Sequence, residues 1–171
     1  MEWLVLIGGL AVAWLINAGK IVRLYIMTDA ELLGIHEKVK EFVTPEIDDR
    51  EDRTLVTALI AVESGGNSHA ISATGAVGLM QIEQPALDDY NDAHETNLRL
   101  SALVSVPAIN VRVGYWYLKH LEDGYNLSRY DALRAYNVGL GTVRADVTGG
   151  AGAGYAVKVT AYAQRLKEVV T

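Results

Sequence analysis

The first 27 residues carry a nearly continuous apolar pattern. No side chain between Trp3 and Ile16 is charged, and apolar residues resume around Lys20 and Arg23. A helix over this stretch would be long enough to cross a hydrocarbon core of about 30 Å, with the two cations near one interface. The pattern therefore predicts a single N-terminal transmembrane helix that anchors the chain in a lipid bilayer. A cleaved signal peptide is the competing interpretation, but no basic residue precedes the apolar run.

The residues that follow are patterned as helices separated by polar turns. Thr28-Asp29-Ala30-Glu31 has the form of a capping box, and apolar positions then recur at helical spacing as far as Thr44-Pro45. A second apolar helix extends from Arg53 to Glu63 and is stopped by Ser64-Gly65-Gly66-Asn67. The predicted organisation of this mainly α chain has three parts, which are a transmembrane anchor (1–27), a connecting helix (28–50) and a globular domain (51–171).

Glu63 occupies the last turn of the second helix, where the chain enters a glycine-rich turn. The negative end of the helix dipole and apolar neighbours both disfavour a charged carboxylate there, which raises the pKa of the carboxyl group. A carboxyl group that stays protonated is suited to donate a proton to a substrate. Glu63 is therefore the candidate catalytic acid, although a solvent-exposed glutamate at a helix end would fit the same pattern.

The charge and composition exclude several classes of function. The 171-residue chain has 21 Asp and Glu against 15 Lys and Arg, so no broad basic face is available to bind nucleic acid. It has no cysteine, and its four histidines show no paired spacing of metal ligands. We therefore expect neither a metal ion nor another cofactor.

Three sequence blocks carry a resemblance to a known family. They are Glu63-Ser64-Gly65 with Asn67, Gly75-Ala76-Val77-Gly78-Leu79-Met80-Gln81, and Ala135-Tyr136-Asn137-Val138-Gly139. In this order they resemble the lytic transglycosylases (SLT domain) of the goose-type lysozyme-like superfamily, over roughly Arg53 to Leu166. The resemblance implies a lysozyme-like helical domain whose partner is the glycan strand of peptidoglycan.

The activity implied by this resemblance needs one carboxyl group. The family cleaves the bond between N-acetylmuramic acid and N-acetylglucosamine and leaves a 1,6-anhydro sugar, because the 6-hydroxyl of the muramic acid attacks in place of water. Glu63 would first protonate the leaving oxygen and then accept the proton of that hydroxyl. The chain is accordingly expected to be a lyase that acts on a polysaccharide.

The same matching implies residues that bind the substrate. Ser64 follows the acid, Ser72 and Thr74 lie in a loop beside the muramic acid, and Met80 and Gln81 form the cleft floor. Tyr136 would support the acid, Asn137 would hold a sugar amide, and Tyr155 would direct its hydroxyl to the acid. The implied substrate-binding set is Ser64, Ser72, Thr74, Met80, Gln81, Tyr136, Asn137 and Tyr155.

Two departures from the family pattern affect the predicted cleft. Glu83-Gln84-Pro85 stands where the family often has a Met-Pro pair after the second block. Val138 and Leu140 stand where alanine and proline are common. Neither change touches the acid, but both bear on how peptide stems or neighbouring sugars fit.

Two other functions stay open from the sequence. Goose-type lysozymes resemble the same fold and acid but direct a water molecule with an additional aspartate, and Asp88, Asp89 and Asp92 are near enough in sequence to be considered. A noncatalytic glycan-binding protein of a virion or membrane would also keep the fold. Retention of the acid and of the other two blocks favours an enzyme.

The predicted membrane location has two interpretations. Lys20 and Arg23 follow the span, so the positive-inside tendency places the enzymatic domain on the cytoplasmic side. That orientation suits a protein of a virion membrane, which meets the wall only when it is delivered to a new host. An enzyme of the bacterial cell envelope would need the opposite orientation to face the wall.

Overall fold

The computed structural model describes the backbone of residues 3–7, 10–17 and 20–170 and the side chains of residues 26–170. The described chain begins with an antiparallel sheet of three strands in the order β1-β2-β3. The strands are β1 (Trp3–Ile7), β2 (Leu10–Asn17) and β3 (Lys20–Ile26). Trp3 is paired with Trp14 in one ladder, and Asn17 is paired with Lys20 in the other.

These strands replace the predicted N-terminal helix. Residues 1, 2, 8, 9, 18 and 19 of the predicted span lie outside the described residues, and the backbone between them is extended. The sequence places Gly8-Gly9 and Ala18-Gly19 between short apolar runs, which is a hairpin signal, and the runs are rich in residues that favour strands. These local signals favour strands, whereas apolar length alone favours a transmembrane helix. In the part of the chain that the structure describes, no helix has the length and apolar character to cross a bilayer.

Helices form the rest of the described chain, as the sequence predicts. They are α1 (Asp29–Val43), α2 (Arg50–Glu63), α3 (Gln84–His94), α4 (Leu100–Ser105), α5 (Pro107–Lys119), a π-helical turn (His120–Gly124), α6 (Arg129–Val138), α7 (Leu140–Ala145) and α8 (Ala153–Val169).

Side-chain caps begin the first two helices. Thr28 Oγ1 accepts a hydrogen bond from the Glu31 amide at 3.2 Å, and the Glu31 carboxylate accepts one from the Thr28 amide at 2.7 Å. This is the predicted capping box. Asp49 caps α2 by accepting a hydrogen bond from the amide of Asp52 at 2.9 Å. The cap explains why α2 begins at Arg50, three residues before the apolar pattern starts.

The hydrophobic core surrounds α2, which packs against α1 and α8. Val56, Leu59 and Ile60 of α2 are fully buried. Leu32 of α1 and Leu166 of α8 belong to the same cluster. Because α2 is held on several sides, its last residue is placed rigidly at the edge of the core.

The connection from the sheet to the helices is fixed at Met27. The amide of Met27 donates to the hydroxyl of Tyr162 at 2.8 Å, and its carbonyl accepts from Arg165 at 2.8 Å. Arg165 also donates to Asp29 at 2.8 Å. The chain therefore enters α1 tied to α8.

Candidate active site

The glycine-containing loop that follows α2 is folded by its own hydrogen bonds. Ser72 and Ala76 pair through a backbone bond of 2.9 Å, and Val77 and Ile82 exchange two backbone bonds of 3.0 and 2.9 Å. Gly78 lies in the turn closed by Val77 and Ile82 with φ +76°, and a Cβ on it would come within 2.3 Å of the Asn110 amide. Only glycine fits this position, since it combines a left-handed conformation with a close approach.

Asn110 of α5 holds this loop in place. Its side chain is fully buried, its Oδ1 accepts from the Met80 amide at 2.8 Å, and its Nδ2 donates to the Val77 carbonyl at 2.9 Å. Both halves of one amide group thus satisfy backbone groups of the loop. The sequence shows a polar residue in an apolar helix but does not reveal its partners, and the role of Asn110 was not predicted.

Glu63 lies in the wall of an open cleft of about 450 Å³. Five of the predicted site residues line this cleft, namely Glu63, Ser72, Gln81, Tyr136 and Asn137. The rest of the lining consists of Ala76, Ile82, Glu83, Pro85, Ala86, Tyr117, Ala135, Val138 and Gly139. The three sequence blocks therefore converge on one concave surface, although more than 70 residues separate Glu63 from Tyr136.

The surroundings of Glu63 favour its protonated form. The side chain is half-buried at the end of α2, and burial is the main cause that raises the pKa of Glu63. The charge of Glu83 raises this pKa further, whereas a hydrogen bond from Tyr155 lowers it. The net shift is upward. The direction agrees with the raised pKa of Glu63 that the sequence predicts, and burial is its largest cause.

Two tyrosines stand close to the acid. The Tyr155 hydroxyl donates a short hydrogen bond to Glu63 Oε1. Burial and the charge of Glu63 raise the pKa of both Tyr155 and Tyr136 well above the usual value. Both phenols therefore stay protonated and act as hydrogen-bond donors. The Tyr136 hydroxyl donates to the Met80 carbonyl at 2.9 Å, so it supports the loop.

The remaining predicted residues lie beside the cleft lining. Ser64 Oγ donates to the Leu79 carbonyl at 2.8 Å and joins the end of α2 to the second block. Met80 is fully buried, and its side chain packs against Gly114 of α5. Thr74 is exposed and bonds to the neighbouring side chains Ser72 and Glu83. Ser64 and Met80 thus contribute contacts within the protein.

Glu83 also lines the cleft. It belongs to the segment that departs from the family pattern, and no role was predicted for it from the sequence. Its Oε1 accepts from Thr74 Oγ1 at 3.0 Å, and Thr74 Oγ1 is 2.9 Å from Ser72 Oγ. Ser72 Oγ already accepts from the Ala76 amide at 2.9 Å. The Thr74 hydroxyl donates its proton to Glu83, so the Ser72 hydroxyl is the donor in the hydrogen bond between Ser72 and Thr74. The chain of hydroxyls orients the Glu83 carboxylate at the cleft rim.

Tyr117 of α5 is a second lining residue that was not predicted. Its ring centre lies 5.7 Å from that of Tyr136, with 59° between the planes. By contrast, the aspartates considered for a lysozyme-like mechanism, Asp88, Asp89 and Asp92, are exposed on α3 and absent from the lining. The second carboxyl group of the cleft is Glu83. Within residues 26–170, no three His, Asp or Glu side chains are grouped to hold a metal ion.

Comparisons with known proteins place the chain in a family. The family model described as the transglycosylase SLT domain matches residues 45–154, which is well over half of the chain. The chain belongs to the transglycosylase SLT domain family. The predicted resemblance to lytic transglycosylases is confirmed, and the matched residues include the acid, the glycine-containing loop and the cleft-lining end of α6.

One curated relative of this SLT-domain chain is the endo-type membrane-bound lytic murein transglycosylase A of Klebsiella pneumoniae. The two sequences are 41% identical over 76 residues, which is 43% of this chain and 37% of the relative. The chain therefore spans little more than a third of the length of that relative.

Two solved structures share the fold of this SLT-domain chain. The 70-kDa soluble lytic transglycosylase of Escherichia coli superposes with a TM-score of 0.64 at 22% identity, over 79% of this chain and 24% of that one. An inactive mutant of the lytic transglycosylase Slt of Pseudomonas aeruginosa superposes with a TM-score of 0.60 at 22% identity, over 82% and 24%. The predicted mainly helical, lysozyme-like SLT fold is confirmed.

Proposed function

We propose that this SLT-domain chain is a peptidoglycan lytic transglycosylase with Glu63 as its single catalytic acid and base. It cleaves the bond between N-acetylmuramic acid and N-acetylglucosamine and forms a 1,6-anhydro end. The observation that carries the proposal is the half-buried Glu63 carboxyl group, with its raised pKa, in the wall of an open cleft. The name of the Klebsiella relative supports murein as the substrate. The inactive Pseudomonas mutant has a glutamine in place of one glutamate, which supports a catalytic glutamate.

In the first step, Glu63 acts as an acid. Since Oε1 accepts the Tyr155 hydroxyl, the acidic proton resides on Oε2. This proton passes to the glycosidic oxygen as the bond between that oxygen and the anomeric carbon breaks. The leaving sugar departs with a hydroxyl group, and the acetamido group of the substrate stabilises the positive charge that develops on the muramic acid.

In the second step, Glu63 acts as a base. The new carboxylate is stabilised at Oε1 by the Tyr155 hydroxyl. It takes the proton of the 6-hydroxyl as that oxygen bonds to the anomeric carbon. Glu63 is thereby returned to its protonated form, and the product is an anhydro sugar. No water is consumed, so the reaction is an intramolecular transglycosylation and not a hydrolysis.

Polar side chains of the lining bind the sugars. Gln81 Nε2 donates to the carbonyls of Gly78 at 2.9 Å and Ala70 at 3.3 Å, which leaves the Gln81 Oε1 as an acceptor for a sugar hydroxyl. The exposed amide of Asn137 both donates and accepts, as the acetamido group of a sugar requires. The loop is held in place by contacts of Ser64, Thr74 and Met80. These three residues therefore act on the substrate indirectly, through the position of the loop.

Analysis of the products tests the proposal. Purified peptidoglycan is digested with the protein, and the soluble fragments are analysed by mass spectrometry. Anhydromuramic ends are the expected result. Intact walls, with no fragments released, would refute the proposal of an enzyme.

A goose-type lysozyme-like hydrolase is the second candidate function, and one observation favours it. Glu83 places a second carboxylate in the lining of the cleft that contains Glu63. A second carboxylate is the group that a hydrolase needs to direct a water molecule. The same mass spectra separate the two candidates, because a hydrolase leaves reducing ends with the added mass of water.

Replacement of Glu83 by glutamine is expected to move the alkaline limb of the pH profile to lower pH. The lyase needs Glu63 protonated, so its activity falls as the pH rises through the pKa of Glu63. The charge of Glu83 raises that pKa and its removal lowers it, whereas Tyr155 and Tyr136 stay neutral donors. The pH dependence of kcat/KM on soluble glycan strands measures the shift. Asp92→Asn removes an exposed charge outside the lining and serves as the control. An unmoved limb in Glu83→Gln would contradict this coupling.

We further propose that residues 1–27 attach the enzyme to a lipid bilayer of the bacterial envelope or of a virion. The uncharged run between Trp3 and Ile16 and the name of the membrane-bound Klebsiella relative support this location. A chain that begins at Met27 keeps the bonds of that residue to Tyr162 and Arg165. It is expected to be soluble and to cleave isolated walls, while the full chain sediments with membranes. A full chain recovered in the soluble fraction would contradict the attachment.

A further inference from the structure

A cluster of aromatic and basic side chains lies outside the lining of the cleft. The ring of Tyr125 packs edge-on against His120 with 5.0 Å between their centres. His120 stacks on Trp116 at 4.8 Å with 8° between the planes. Arg144 Cζ lies 5.1 Å from the centre of the Tyr125 ring. We call these residues (Trp116, His120, Tyr125 and Arg144) the Tyr125 platform.

Two elements connect the Tyr125 platform to the cleft lining. In α5, Trp116 directly precedes the lining residue Tyr117, whose ring centre lies 5.7 Å from that of Tyr136. Arg144 belongs to α7, which starts directly after the lining residue Gly139. A glycan strand bound in the cleft therefore has the platform within reach of its substituents.

The charges of the cleft and of the platform differ in sign. The cleft lining contains the carboxyl groups of Glu63 and Glu83 and no Lys, Arg or His. An anionic group of the substrate is therefore disfavoured inside the cleft. Arg144 supplies a positive charge just outside it.

Arg144 is free to bind an external anion. Arg112, Arg129, Arg134 and Arg165 each form an ion pair with a carboxylate. Among the described residues, no carboxylate lies within ion-pair distance of Arg144, whose side chain is exposed and contacts the Tyr125 ring. A guanidinium held over an aromatic face keeps its fork of N–H donors available and loses little freedom on binding.

We propose that the Tyr125 platform is a subsite for the peptide stem of the glycan strand, in which Arg144 binds a stem carboxylate. The proposal rests on the proposed function, since it assumes that peptidoglycan occupies the cleft. A carboxylate matches the guanidinium through two parallel hydrogen bonds. The Tyr125 ring orients the guanidinium, and His120, itself stacked on Trp116, packs against that ring edge-on. The platform thus selects strands that carry charged stems.

Steady-state kinetics of the full chain on three soluble substrates test this subsite. The substrates are glycan strands with their stems, the same strands with the stems removed by an amidase and the lactyl carboxylates so exposed converted to amides, and strands whose stem carboxylates are amidated. Arg144→Gln is expected to raise KM for the first substrate about fivefold, which is the upper range for an exposed ion pair. The kcat on that substrate and both constants on the other two should stay unchanged. Arg99→Gln, which removes an exposed arginine outside the cleft lining, is the matched control.

The outcomes separate this inference from the proposed function. A rise in KM confined to charged stems in Arg144→Gln supports the subsite. An equal rise on strands without stems overturns it, because Arg144 would then act on the sugars or on the fold. Unchanged constants on every substrate also overturn it and leave the proposed function standing. Failure of the unaltered protein to cleave any of the three overturns the proposed function, and this inference with it.

Discussion

Replacement of Glu63 by glutamine is expected to lower the rate of peptidoglycan cleavage by about three orders of magnitude or more. Glutamine has nearly the same shape and keeps an Oε1 that accepts the Tyr155 hydroxyl, but it can neither donate the first proton nor accept the second. Release of soluble fragments from labelled walls measures the rate. Activity within a few-fold of the unaltered protein would remove Glu63 from the mechanism.

Two controls make the Glu63→Gln result specific. Glu95→Gln alters an exposed glutamate outside the cleft lining and should keep full activity. Cosedimentation with insoluble walls should show that Glu63→Gln binds as well as the unaltered protein.

Stability gives a third readout, because the raised pKa of Glu63 means that the folded state binds this proton more tightly than the unfolded state. The free energy of unfolding then declines as the pH rises from the ordinary pKa of a glutamate to the raised pKa of Glu63. Glu63→Gln should therefore be no less stable than the unaltered protein at neutral pH.

Replacement of Asn110 by alanine is expected to lower the free energy of unfolding by about 1 to 3 kcal/mol, because it leaves the buried Met80 amide without a partner. It also removes one of the two hydrogen bonds that the Val77 carbonyl accepts, while the bond from the Ile82 amide remains. The loop should also lose its fixed position, so kcat should fall even where the protein remains folded. Urea denaturation and the cleavage assay measure the two effects.

The matched control for Asn110→Ala is Asn97→Ala, which alters an exposed asparagine on the surface. Its effect on the free energy of unfolding should stay within about 0.5 kcal/mol. A similarly small effect of Asn110→Ala would show that the loop holds its shape without this side chain.

The sequence was sufficient to predict that Glu63 lies at the end of a helix. The helix that ends at Glu63 follows from its apolar spacing and from the glycines after it, and the capping box at Thr28 follows from four residues in a row. These signals are local, because the residues that decide them are neighbours in the chain. The meeting of Glu63 with Tyr136 in one cleft is not local, and only the resemblance to a family predicted it.

The sequence was not sufficient to predict which side of the loop each residue faces. Met80 and Gln81 are adjacent, yet Met80 is fully buried whereas Gln81 lines the cleft. Gln81 has φ +48°, and this left-handed conformation reverses the direction of the chain where a regular pattern would be expected. The buried partner that fixes this geometry, Asn110, comes from a helix about 30 residues away.

The N-terminal segment shows how two sequence signals compete. Apolar length favours a spanning helix, whereas Gly8-Gly9 and Ala18-Gly19 between short apolar runs favour hairpins. The structure has strands at Trp3–Ile7, Leu10–Asn17 and Lys20–Ile26. The glycines within the same residues favour the strands over one continuous helix.

The most direct test of the account is the pKa of the Glu63 carboxyl group in the folded protein. NMR can follow the side-chain carboxyl carbon of Glu63 through a pH titration, with its signal assigned by its absence in Glu63→Gln. The expected pKa of Glu63 lies above the ordinary value of a glutamate, and it falls when Glu83 is replaced by glutamine. A Glu63 that titrates at or below the ordinary value would contradict the claim that this carboxyl group holds the proton that the reaction requires.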